Sequence, residues 1–147
     1  MNGMFKKFLQ TDHSRTPLLI RLMVGTVFLS EGIQKYLFPA LRGAGRFESI
    51  GFHSPEFVGY FVATFEILCG ALVLLGFLTR YASIPLIIIM LVAIFTTKTD
   101  ILAEKGFWEM AHASRTDWAM LLGSIFLLLK GGGYWSLDHR LFPGEPT

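Results

Sequence analysis

Long apolar runs alternate along this chain with short polar stretches rich in glycine and proline, and the runs have the length scale of a lipid bilayer. A helix needs about 17 to 25 predominantly apolar residues to cross the hydrocarbon layer. Four segments approach that length, at residues 17–37, 56–78, 81–97 and 118–129. The last extends back through Asp117, Thr116 and Arg115 and forward to Lys130, whose stem can snorkel to the headgroups. The pattern predicts an all-α fold, a four-transmembrane-helix antiparallel bundle over residues 17–142. A basic arm, 1–16, cytoplasmic or lying at the interface, and a tail, 143–147, flank it.

The connections have different characters. Residues 38–56 carry enough glycine and proline to read as loop with one interfacial turn. Only a few residues around Arg80 separate the second and third runs, so those two form an antiparallel hairpin. The stretch KTDILAEKGFWEMAHASRTD mixes charge with Phe107, Trp108 and Met110 and reads as a segment lying on the membrane surface.

Within the runs, the polar and small residues fall on stripes. At about 100° per residue, Arg21, Gly25, Phe28, Gly32 and Lys35 share one face of the first helix, with Glu31 at its flank. In the second, Gly59, Ala63, Glu66, Gly70, Val73 and Arg80 align, with Cys69 beside them. Small residues admit a neighbouring backbone, so both faces are expected to meet protein and not lipid. Ser83, Met90 and Thr97 make a softer packing stripe in the third run, and Asp117 aligns with Ser124 in the fourth.

Composition agrees with a membrane protein: hydrophobic residues make up 52% of 147 positions, with a mean hydropathy of +0.52. The net charge of +2 comes from scattered residues, so no nucleic-acid partner is indicated; the lipid bilayer is the expected one. A small Lys/Arg bias places both termini in the cytoplasm of a multi-pass cell-membrane protein. The first run is as long as a full span and lacks a small-residue cleavage site, so it is expected to stay. Cys69 is the single cysteine, which leaves no dithiol, covalent haem attachment or iron–sulfur ligand set. His13, His53, His112 and His139 have no i,i+4 pairing, so no zinc site is indicated.

The ionisable residues inside the oil are the candidates for chemistry. Such groups cost a few kcal/mol each on insertion scales and normally face a bundle interior or a cavity. Within VFLSEGIQKYLF, Glu31 stands four residues before Lys35, so the two either pair along the helix or face a ligand. Arg21 and Lys35 lie close enough to helix ends to snorkel. Glu66 sits mid-run with no basic residue three or four positions away; its partner must be another helix, water or a bound proton. Glu31, Gln34, Lys35, Glu66, Arg80 and Arg21 are the pocket candidates. His112, Arg115 and Asp117 are candidates for a polar mouth, Asp117 also fitting a helix N-terminus and His112 and Arg115 a solvated loop.

Four blocks, LIRLMVGTVFLSEGIQKY, FEILCGALVLLGFLTRYAS, IIIMLVAIFTT and LLKGGGYWSLDHRL, occur in the order in which the DoxX family carries its motifs, and the chain resembles that family over almost everything after residue 16. The resemblance implies a small four-helix membrane protein in which Arg21, Gly32, Gln34, Lys35, Glu66 and Arg80 are shared positions. It departs at SEG, where many relatives have an aromatic residue or His-Gly. Family members linked to thiosulfate:quinone oxidation imply a membrane subunit of a quinone-linked redox system, with a quinone in a polar intramembrane pocket. They also imply a membrane or soluble redox partner. A homo-oligomer is a further expectation. The other readings are a non-catalytic scaffold or assembly factor and a narrow transport or binding protein, and no residue is singled out as catalytic.

Overall fold

The computed structural model describes Thr11 and residues 14–142, and every regular element among them is helical. The rest of the arm and the tail, with His13, lie outside the described residues. The elements are α1 (Pro17–Leu37), α2 (Pro39–Arg42), α3 (Ala44–Ser49), α4 (Pro55–Leu75), α5 (Thr79–Lys105), α6 (Phe107–Ala113), α7 (Arg115–Lys130) and α8 (Leu137–Leu141). Among the described residues, α1, α4 and α5 are long and apolar enough to cross a membrane.

Local chemistry explains the boundaries. Proline opens α1, α2 and α4, where its missing N–H costs nothing and its fixed φ suits a first turn. The end of α4 falls at Leu75 and not at residue 78, because Gly76 adopts φ 68°. The Gly76 N–H donates to Val73 O at 3.1 Å and the Phe77 N–H to Leu72 O at 2.9 Å, the paired bonds of a glycine-terminated helix.

Two connections differ from the sequence expectation. The third apolar run does not stop at residue 97; α5 continues to Lys105, where Gly106 at φ 85° ends it. No glycine or proline stands between Leu86 and Lys105, so nothing in the backbone halts the helix when the composition turns polar. Its 27 residues extend about 40 Å, beyond a hydrocarbon core of about 30 Å, so the charged end projects from it. The loop expected at 38–56 also holds two short helices, α2 and α3, in place of one turn.

The tightest packing joins α1 to α4, with α5 against α7 next. A Cβ on Gly70 would lie 2.8 Å from the Leu29 N atom, and one on Gly32 would lie 2.8 Å from Ala63 O. Gly25 opposes Gly70 and Gly32 opposes Ala63, so α1 rises where α4 descends. The stripes drawn from the sequence are the buried ones, with Arg21, Gly25, Phe28, Gly32 and Lys35 on α1 and Gly59, Ala63, Glu66, Cys69, Gly70 and Val73 on α4; Arg80, expected on the second stripe, instead lies past the end of α4, in the first turn of α5, and is half-buried. In α5 burial shifts toward the start, to Thr79, Ala82, Ser83 and Leu86, while Met90 and Thr97 are only half-buried. Large apolar side chains such as Leu19, Phe57, Leu68, Ile88 and Phe95 point outward, as lipid-facing residues do.

Gly70→Leu pushes side-chain atoms into the α1 backbone. It is expected to destabilise the fold by about 1–3 kcal/mol or more, read as a lower melting temperature of the detergent-solubilised protein. Leu68→Ala, on the outward face, is expected to leave the melt nearly unchanged.

Candidate functional site

The seam between α1 and α4 is narrow because glycine and alanine line it, and that closeness brings two charged side chains together across it. Lys35, in the last turn of α1, places Nζ 2.6 Å from Oε2 of Glu66, in the middle of α4. The side chains are 10% and 3% exposed. A carboxylate and an ammonium withdrawn from water are stable only in such good geometry, since each alone carries a desolvation penalty of several kcal/mol.

Glu31 lies at the edge of this pair, its Oε2 3.9 Å from Lys35 Nζ, and is 37% exposed. The sequence left Lys35 between snorkelling and pairing with Glu31; the structure turns it inward, with the cross-helix partner much the nearer. The partner that Glu66 lacked on its own helix is therefore Lys35. Arg46 of α3 also acts on the Glu66 carboxylate electrostatically, as does Glu31. Lys35, Glu66 and Glu31 thus form a cluster graded from buried Glu66 to half-exposed Glu31, with the exposed Arg46 outside their contacts.

The other pocket candidates lie elsewhere. Gln34 donates from Nε2 to Ser30 Oγ on its own helix at 2.9 Å and does not join the cluster. Arg21 is at the far end of α1, about 21 Å along the axis from Lys35. It does not snorkel. Its guanidinium donates to Val73 O at 2.9 Å, Leu74 O at 2.5 Å, Trp135 O at 2.6 Å and Gly132 O at 3.2 Å. A cation thus satisfies the C-terminal carbonyls of α4, where the helix dipole favours positive charge. Arg80, one residue into α5, shares that end, and Asp138 acts electrostatically on both arginines.

At the Lys35 end of the bundle, His112 and Arg115 are exposed, and Arg115 Nη1 donates to His112 O at 2.6 Å. Asp117, in the first turn of α7, forms an ion pair with Lys98 of α5 at 3.0 Å. That contact clamps α5 to α7 just as Lys35–Glu66 clamps α1 to α4. Among the described residues, no three His, Cys, Asp or Glu side chains are grouped as a metal site needs.

Two participants escaped the sequence reading. Arg46 lies in a stretch whose glycines and prolines predict loop and which forms the short helix α3. Asp138 accepts from the Leu78 N–H at 2.7 Å and the Thr79 N–H at 2.9 Å, capping α5 from α8. Its own N–H donates to Gly76 O at 2.8 Å. Its signal was Ser136, whose Oγ accepts from the His139 N–H at 3.1 Å and starts the short helix that carries Asp138.

Glu66→Ala leaves an ammonium buried without its partner and is expected to lose about 3–5 kcal/mol of stability. The double variant Lys35→Met with Glu66→Leu removes both charges and is expected to regain most of that loss. Thermal melts of the purified single and double variants check both outcomes.

The DoxX family model matches residues 16–99, which include Lys35, Glu66 and the seam between them. The chain is 51% identical over 141 residues to the uncharacterized membrane protein Rv3486 of Mycobacterium tuberculosis (strain ATCC 25618 / H37Rv), covering 92% of this chain and 86% of that one. It is 33% identical over 129 residues to "Putative oxidoreductase CatD" of Bacillus subtilis (strain 168), covering 87% and 88%. No solved structure matches. With the family match over more than half its length, and with relatives aligned along most of it, the chain belongs to the DoxX family and is a membrane protein.

Proposed function

We propose that the protein is a multi-pass, four-span membrane subunit of a quinone-linked redox system whose intramembrane site is the Lys35–Glu66–Glu31 cluster. The observation that carries this reading is the buried Lys35–Glu66 pair with a half-exposed carboxylate, Glu31, beside it. α7 serves as the fourth span. Its 16 residues reach about 24 Å, and a snorkelling Lys130 and local thinning of the bilayer make up the difference. Both termini lie on the cytoplasmic side.

Reducing a quinone to a quinol takes two electrons and two protons, delivered to its carbonyl oxygens. The Lys35 ammonium can donate a hydrogen bond, then a proton, to one oxygen, and the half-exposed Glu31 carboxyl can relay from the aqueous surface both the proton that restores Lys35 and the proton for the second oxygen. With a single thiol and scattered histidines, the chain offers no evident covalent redox centre, so the electrons come from a membrane or soluble partner protein that carries one. The name of the Bacillus subtilis relative, with its reference to an oxidoreductase, supports the redox class.

A second reading, a non-catalytic scaffold or assembly factor, is favoured by a specific observation. Lys35 and Glu66 already satisfy each other at 2.6 Å, and Arg21 is occupied by four carbonyls. On this reading the charges hold the bundle and bind nothing.

Organic extraction of protein purified with its native lipids, followed by mass spectrometry, separates the two. The quinone reading expects near-stoichiometric quinone in the wild type and at least a tenfold loss in the folded Lys35→Met/Glu66→Leu double variant. Equal quinone in both, or none in either, defeats it and leaves the scaffold.

A further inference from the structure

The opposite end of the bundle, where Arg21 binds the last carbonyls of α4, carries a separate feature. An open depression of about 560 Å³ lies between the end of α4 and the segment around α8. Leu74 and Leu75 contribute apolar surface, while Tyr134, Trp135, His139 and Arg140 contribute aromatic rings and positive charge.

Its position relates it to the membrane surface. Leu75 is the last residue of a helix long enough to span, and it is 59% exposed, so the apolar part of the depression continues the outward face of α4. The depression therefore lies where acyl chains give way to headgroups. Tyr134 and Trp135 are exposed at that level, where amphipathic rings are enriched in membrane proteins. The Arg15 guanidinium lies over both, 5.4 Å from the Trp135 ring centroid and 5.9 Å from that of Tyr134. His139 packs on Tyr134 with centroids 4.8 Å apart.

The charge balance is one-sided. Arg15, Arg80, Lys130 and Arg140 gather at this end against Asp138, the one carboxylate there among the described residues. Asp138 is buried and committed to the Leu78 and Thr79 N–H groups. The Arg140 side chain is exposed and makes no hydrogen bond or ion pair with a described residue. An exposed guanidinium beside an apolar surface continuous with the lipid-facing helix matches a ligand with a phosphodiester at one end and hydrocarbon at the other.

We infer that this depression binds the headgroup of an anionic phospholipid, with its phosphate against Arg140 and Arg15 and an acyl chain along Leu74 and Leu75. The inference stands apart from the redox reading, since none of these residues belongs to the Lys35–Glu66 cluster. A bare phosphate would use the arginines and leave the leucines idle, which favours the lipid as the source of the anion. Trp135 and Tyr134 hold Arg15 in place over the headgroup.

Native mass spectrometry of the full-length protein in a non-ionic detergent, titrated in turn with phosphatidylglycerol, phosphatidylcholine and inorganic phosphate, tests this. One phosphatidylglycerol is expected to bind more tightly than phosphatidylcholine, and Arg140→Gln to weaken it about fivefold, the effect of one basic residue near an anionic lipid surface. Arg42→Gln, which removes an exposed charge on α2 at the other end of the bundle, is expected to change nothing. An unaltered affinity in Arg140→Gln, or an equal loss in Arg42→Gln, overturns the assignment as mere attraction between net charges. Inorganic phosphate that displaces phosphatidylglycerol at comparable concentration overturns it in favour of a phosphate site. Matched melting temperatures of wild type and both variants establish that the comparison is between folded proteins.

Discussion

A charge inside an apolar bundle must be neutralised where it stands, and the architecture of this protein follows from how its inward-facing charges meet that demand. Lys35 and Glu66 neutralise each other across the α1–α4 seam. Arg21 spreads its charge over carbonyls of α4 and the segment after α7. Asp138 takes up two backbone N–H groups at the start of α5. Each solution joins elements distant in sequence, so the groups that are costliest to bury are also the cross-links of the fold.

The small-residue seam and the ion pair depend on each other. Gly25, Gly32, Ala63 and Gly70 let the α1 and α4 backbones come close enough for a lysine near a helix end to reach a carboxylate in the middle of its neighbour. A bulkier seam would separate the helices and leave Glu66 without a cation. Glycine packing supplies little hydrophobic gain inside a membrane, and the pair supplies an electrostatic reason for one register over its neighbours. The same logic repeats in weaker form where Lys98 meets Asp117 between α5 and α7, at less buried positions.

The two ends of the bundle have different chemistry. The end holding Lys35 mixes acids and bases, with Glu31, Arg46, Lys98 and Asp117 close to the surface. The other concentrates basic and aromatic side chains around a capped helix turn. The helices separate the two, so a change at one need not disturb the other.

The sequence by itself determined the helical class, the faces of α1 and α4 that meet protein, and Glu66 as the acid needing an outside partner. Each follows from local periodicity, run length or the cost of burying a charge. It could not choose the partner of Lys35, because Glu31 four residues away and Glu66 thirty-one residues away are both carboxylates, and only the backbone separation across the seam ranks them. Nor could it reveal that Arg21 serves as a helix cap, since the carbonyls it binds carry no residue identity. The extension of α5 past Thr97 was obscured by composition, because polarity marks where a helix leaves the membrane and not where it ends. Periodicity acts between near neighbours and is written in the chain; the pairing of charges and carbonyls is set by distances between segments, which only tertiary packing decides.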